Sequence, residues 1–320
     1  AEAYAHYIFI AAPFMICSFI MNNLLRFQGK ASFAMVGITV GGLLNIALDP
    51  LFIFTLDMGT AGAALATGLS QFISFCILLW MCNHQDSCIS ISIRKFRPKL
   101  AIYREVLYGG IPSLGRQGIA SVATILMNFM CQPYGDAAIA AMSIVSRFMF
   151  FINSVIIGFG QGFQPVCSYC FGAGLYDRVK KACWFCIRVS TIILLVLSVI
   201  SFPAARSIIT LFRRNDPTVI EIGTLALRLQ LITLPLQGAV IMGNMMPQSI
   251  GYGFRATLVS TARQGIFLIP LLTIMTYTIG LLGIQCAQPL ADIATFILSL
   301  FVIRGIFKEF PEDASSFAAQ

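Results

Sequence analysis

SFAMVGITVGGLLNIALDPLFIFT, residues 32–55, decides the fold class of this chain. The run holds one ionisable side chain, Asp49. As a helix rising 1.5 Å per residue it would extend roughly 36 Å, enough to cross the ~30 Å hydrocarbon core of a bilayer. The rest of the chain has the same character. Of its 320 residues, 58% are hydrophobic and 11% charged, with a mean hydropathy of +0.85. Soluble domains carry about 25% charged residues. The 26 Gly and the 27 Phe against 2 Trp suit helices packed in lipid. Disorder and a disulfide-built scaffold are excluded, and an all-α polytopic membrane protein is expected.

Apolar runs near 20 residues predict about nine transmembrane helices, at 5–25, 32–55, 60–82, 106–131, 138–162, 182–205, 221–243, 256–277 and 280–303. The longest polar stretch, 83–104, reads as an inter-lobe linker. The chain thus divides into three spans over 1–82, six over 105–305, and a polar tail over 306–320. A net charge of +8 would suit nucleic acid, but the basic residues sit in short clusters between apolar runs, so no nucleic-acid partner is expected. In alternate loops, one side holds Arg26, Lys30, Arg94, Lys95, Arg97, Lys99, Arg104, Arg178, Lys180, Lys181, Arg255, Arg304 and Lys308. The other holds Arg206, Arg213 and Arg214. The positive-inside rule makes the richer side, with linker and C-terminus, cytoplasmic.

An internal repeat organises the spans. A shift of 222 aligns Pro13 with Pro235, Asn22 with Asn244, Gly29 with Gly251 and Ala34 with Ala256. A shift of 221 aligns Gly62 with Gly283 and Ala66 with Ala287. Spans one to three are then counterparts of seven to nine, in the same membrane orientation. Spans four to six lack counterparts, which predicts three further helices ahead of Ala1. The expected whole is a twelve-helix bundle of two six-helix lobes.

Chemistry concentrates in few residues. Among 13 acidic residues, only Asp49 and Asp292 lie well inside apolar runs. An ionised Asp at the bilayer centre costs about 2.5–3.5 kcal/mol on insertion scales, so each should face the interior with a partner. Asn45 stands one helical turn before Asp49, and Pro50 leaves the Ile46 carbonyl without its helical donor. Carboxylate, amide and backbone oxygens suit Na+, and a carboxylate can equally carry a proton. Thr67 in the next span is the natural third ligand. The alternative is that Asp49 merely caps a helix break at Pro50. Asp292 has Gln288 and Pro289 on its helix and is read either as a substrate-cavity group or as an ion pair with Arg263 or Arg116. Gln117 and Gln161, beside Gly and Pro, are the other cavity candidates. Cys183 and Cys186 form a Cys-x2-Cys inside an apparent helix and read as packed thiols.

These residues carry a family resemblance over nearly all of 4–305. LLRFQGKASFAMVGITVGGLLNIALDPLFI (24–53) resembles the fourth and fifth helices of the multidrug and toxic compound extrusion (MATE) transporters. GGIPSLGRQGIASV (109–122) and GFGQGFQPVCSYCFGAG (158–174) are similar to the seventh and eighth. ARQGIFLIPLL (262–272) and AQPLADI (287–293) resemble the eleventh and twelfth. The resemblance implies a cell (inner) membrane antiporter, not an enzyme, that expels organic cations or drugs in exchange for Na+ or H+. It implies no cofactor, a lipid environment and a monomer. It also assigns a cation-coupling set of Asp49, Asn45, Thr67 and Asn22, with Na+ held by Asp49, Asn45 and Thr67 if sodium is the coupling ion.

Two other classes are weaker. A lipid-linked saccharide flippase would need a strongly cationic cavity, but only Arg116, Arg147 and Arg263 lie deep. A channel or membrane-embedded enzyme finds no filter repeat, nucleotide loop or metal cluster, and His6 and His84 stand alone near span ends.

Overall fold

The computed structural model describes residues 2–84, 99–213 and 216–310, and within them it contains helices and turns and no strand. Eight of its helical segments are long and apolar enough to cross a membrane. They cover eight of the nine expected spans, and helix α4 covers the other, 106–131. The chain forms two compact units, divided between Pro98 and Lys99.

The first unit contains α1 (Glu2–Phe27), α2 (Ala31–Pro50) and α3 (Gly59–His84). Pro50 does not break α2. The helix continues through it into a wider π turn, Leu51–Thr55, in which the Leu56 N–H reaches the Leu51 carbonyl. A small apolar core of Met21, Leu25, Ala34, Leu78, Met81 and Cys82 holds the three helices.

The second unit contains α4 (Leu100–Cys131), α5 (Asp136–Gly172) and α6 (Tyr176–Phe212), then three interrupted or long spans. Helix α7 (Pro217–Thr233) passes through a 3-10 turn at Leu234–Leu236 into α8 (Gln237–Ser249). Helix α9 (Gly253–Thr261) passes through a π turn at Ala262–Phe267 into α10 (Leu268–Ile279), and α11 (Leu281–Glu309) closes the unit. At 37 residues each, α5 and α6 extend for about 55 Å, well beyond a bilayer core. Met142 and Met149 enter the core of this unit, whereas Phe150 and Phe151 point outward.

Leu100–Arg104, assigned to the linker from hydropathy, is already the first turn of α4. A helix continues into the polar headgroup region, where Arg104 stops the apolar count without stopping the backbone hydrogen bonds. Residues 85–98 of the linker and 311–320 of the tail lie outside the described residues.

The repeat has a structural counterpart inside each unit. Gly29 and Gly251 take positive φ at the turns after α1 and α8, and Gly59 and Gly280 do so at the starts of α3 and α11. The left-handed region costs glycine no Cβ clash, which explains the shared residue type. In each unit the third helix also presents a glycine to a backbone carbonyl, Gly62 to Phe52 and Gly283 to Met275, where a Cβ would collide.

Candidate cation site in the first unit and polar network in the second

Helix α2 approaches α3 through glycine. A Cβ on Gly37 would run into Leu78, and one on Gly41 would meet Ser74 Cβ at 2.9 Å. The Ser74 hydroxyl completes the contact by donating to the Gly37 carbonyl at 2.9 Å. Small residues four apart permit such close packing in a membrane helix. Continuing the same stripe one turn at a time, 37, 41, 45 and 49, gives Asn45 and then Asp49. The stripe therefore carries Asn45 to α3.

There, Asn45 Nδ2 donates to Asp49 Oδ1 at 3.3 Å and to Thr67 Oγ1 at 3.4 Å. The Thr67 hydroxyl itself donates to the Ala63 carbonyl at 3.0 Å, so its oxygen faces Asn45 as an acceptor. All three side chains are half-buried. Asn45 lies two residues from the middle of its span (43) and Thr67 four from the middle of its own (71). Asp49 Oδ2 and Asn45 Oδ1 meet no donor among the described residues. One carboxylate, one amide oxygen and one hydroxyl oxygen form a hard-oxygen set within six residues of the span centres. Asp49 caps no helix end, since the helix runs on past Pro50.

Asn22 does not join this set. It is 6% exposed and donates to the Ala34 carbonyl at 2.7 Å. Ala34 is eleven residues before Asn45 on α2, roughly 16 Å along the axis. Asn22 is a clasp between α1 and α2, and its repeat partner Asn244 does the same to Ala256 at 2.5 Å. The repeat alignment already paired these four residues, although the resemblance placed Asn22 in the cation set.

Asp292 is buried in the second unit, 1% exposed, and accepts from three side chains. Arg263 Nε reaches Oδ1 at 2.8 Å, Gln288 Nε2 reaches Oδ1 at 3.2 Å, and Gln237 Nε2 reaches Oδ2 at 2.8 Å. Of its two readings, the ion pair with Arg263 is present. The side chain of Arg116 lies outside the described residues. What sequence reasoning missed is Gln237, whose link to Asp292 spans 55 residues and leaves no periodic trace. Gln117 is exposed and Gln161 half-buried. They stand roughly 21 and 38 Å from the turn joining α4 and α5, so nothing described brings them together.

Cys167 and Cys170 on α5 form a second Cys-x2-Cys beside Cys183 and Cys186 on α6. All four are buried and close enough to interact electrostatically. Among the described residues, no three His, Cys, Asp or Glu side chains are placed to hold a metal ion.

Residues 112–282 match the MatE family profile, over half of the chain. Multidrug export protein MepA of Staphylococcus haemolyticus is 28% identical over 308 residues, covering 96% of this chain and 68% of that protein. Among solved structures, a MATE transporter crystallised with MaL6 superposes with a TM-score of 0.89 at 24% identity, covering 96% of this chain and 70% of that one. An outward-facing multidrug resistance MATE transporter of the MOP superfamily gives 0.88 at 25% identity, covering 96% and 69%. The chain is a multi-pass membrane transporter rather than an enzyme, and it belongs to the MatE family. It spans about two thirds of the length of the relatives it matches.

Proposed function

We propose that this chain is the greater part of a secondary active antiporter that exports organic cations or drugs in exchange for Na+ or H+. Its relatives are multidrug export proteins. The observation that carries the coupling is the Asn45 amide, hydrogen-bonded at once to a carboxylate inside the span and to a hydroxyl on the next helix. An amide has two ends of nearly equal size. As it stands, its NH2 bridges Asp49 and Thr67, filling with donors the space a cation would occupy. Turned by half a rotation, it would offer Oδ1 instead, so that Asp49, Asn45 and Thr67 present three oxygens to Na+. A proton on Asp49 would serve the same exchange by cancelling its charge.

The site belongs to one repeat. At the same shift Asn45 and Asp49 correspond to Phe267 and Leu271, so coupling by this carboxylate is confined to the first unit. The protein sits in the cell membrane as a monomer, with the start of α6, which holds Arg178, Lys180 and Lys181, on the cytoplasmic face. The experiment is export of an organic cation from reconstituted vesicles under an imposed Na+ or H+ gradient, comparing wild type with Asp49→Asn. Loss of gradient dependence supports the reading, and unchanged gradient-driven export overturns it.

A further inference from the structure

The network around Asp292 sits at mid-membrane. Gln237, Arg263 and Asp292 lie within four residues of the centres of their spans (233, 266 and 295). Two of the three span segments that build it are irregular there. The 3-10 turn Leu234–Leu236 ends immediately before Gln237, and the π turn Ala262–Phe267 carries Arg263. Single π turns inside α-helices recur at functional positions.

The two charges are not equally engaged. Both oxygens of Asp292 accept hydrogen bonds, from three N–H donors in all, and the side chain is buried. Arg263 uses only Nε of its fork, and its terminal nitrogens meet no acceptor among the described residues. Its side chain is 23% exposed against 1% for Asp292. A guanidinium N–H facing hydrocarbon without a partner costs several kcal/mol, on the order of 2–7. The open end of Arg263 therefore calls for a polar partner. Gln237 Oε1, buried on the same network, has no donor either, so the cluster is not closed on itself.

We infer that Arg263, held by Asp292 from behind, is a recognition site in the second unit for the acid group of a carboxylate-bearing amphiphile. Asp292 fixes the fork through Nε, and the two terminal nitrogens then present parallel donors matched to a carboxylate. Lysine at this position would keep the charge without the fork. The inference does not depend on Asn45 or Asp49.

The test uses a matched dye pair, rhodamine 110 with its free carboxylate and rhodamine 123, the methyl ester of the same ring system. Binding is read by fluorescence polarisation on the intact protein in phosphatidylcholine nanodiscs, which excludes competing anionic lipid. Wild type should bind the free acid more tightly than does Arg263→Lys, by about tenfold, with ester affinity unchanged. Arg263→Gln alone leaves Asp292 as a buried charge without its cation, so the double variant Arg263→Gln/Asp292→Asn removes both. It should also lose the preference for the acid while keeping the ester. An acid-to-ester ratio that is the same in wild type, Arg263→Lys and the double variant would overturn the inference. Loss of both dyes together would also overturn it, by showing a role in folding alone. Because Asp49→Asn should leave this ratio intact, failure here is separable from failure of the coupling site.

Discussion

Gly41 of α2 lies so close to Ser74 of α3 that a methyl group added at Gly41 would come within 2.9 Å of the Ser74 Cβ. This contact sets the geometry of the cation site. Asn45 follows Gly41 by one turn, and it reaches Thr67 only because the two helix backbones are nearly touching a turn away.

Gly41→Ala should therefore push α2 from α3 and weaken coupling. Overpacking of this kind costs about 1–3 kcal/mol, which at the site should appear as roughly a tenfold rise in the ion concentration needed for half-maximal export. Gly42→Ala is the control, because nothing stands within 4 Å of its Cβ position. Equal behaviour of the two variants in vesicle transport would remove the link between helix approach and coupling.

Asp49→Asn should fold and insert, since burying a neutral amide costs less than burying a carboxylate, and should lose gradient-driven export. Asn45→Ala retains the charge, so its smaller defect should be partly rescued by raising the ion concentration. Leu271→Ala, at the position corresponding to Asp49, should affect packing and leave ion dependence unchanged. Ion titrations of transport in the three variants check the order.

Asn22→Ala removes the donor to a buried carbonyl and should destabilise by about 1–3 kcal/mol. Asn244→Ala should do the same in the second unit, because it makes the equivalent bond. Thermal unfolding in detergent should fall in both, while the apparent ion affinity of surviving protein stays at the wild-type value. A shifted ion affinity in Asn22→Ala would return that residue to the coupling set.

The two ion pairs among the described residues of the second unit should behave oppositely. Arg263→Met leaves Asp292 buried without its cation and should cost about 3–5 kcal/mol, whereas Arg263→Met/Asp292→Leu should recover most of that loss. Arg255 and Glu309 form a partly exposed pair between α9 and the end of α11. Glu309→Gln should leave the melting temperature almost unchanged, since solvent screens such pairs.

Orientation is testable on described residues. In a background without native cysteines, Cys introduced at Lys181 should react only with reagents admitted to the cytoplasmic side, and Cys at Arg213 only with external reagents. The reverse pattern would invert the topology inferred from the loop charges.

Hydropathy alone determines that this is a helical membrane protein and where its spans lie, because a bilayer imposes a minimum apolar length on every crossing. Spacing alone puts Asn45 and Asp49 on one face, because a helix repeats every 3.6 residues. The match of Asn22 and Ala34 with Asn244 and Ala256 paired the residues of the duplicated clasp without giving their hydrogen bonds. Helix ends were less legible: α4 starts at Leu100 because backbone hydrogen bonds continue where apolar side chains stop. Only the tertiary structure decided which polar groups meet. Asn22 and Asn45 both enter the expected cation set, yet one closes on a backbone carbonyl and the other on Asp49 and Thr67. Gln237 finds Asp292 across 55 residues. Such pairings depend on how closely two helices approach and at what rotation, and that is set by glycines and backbone irregularities acting on several helices together.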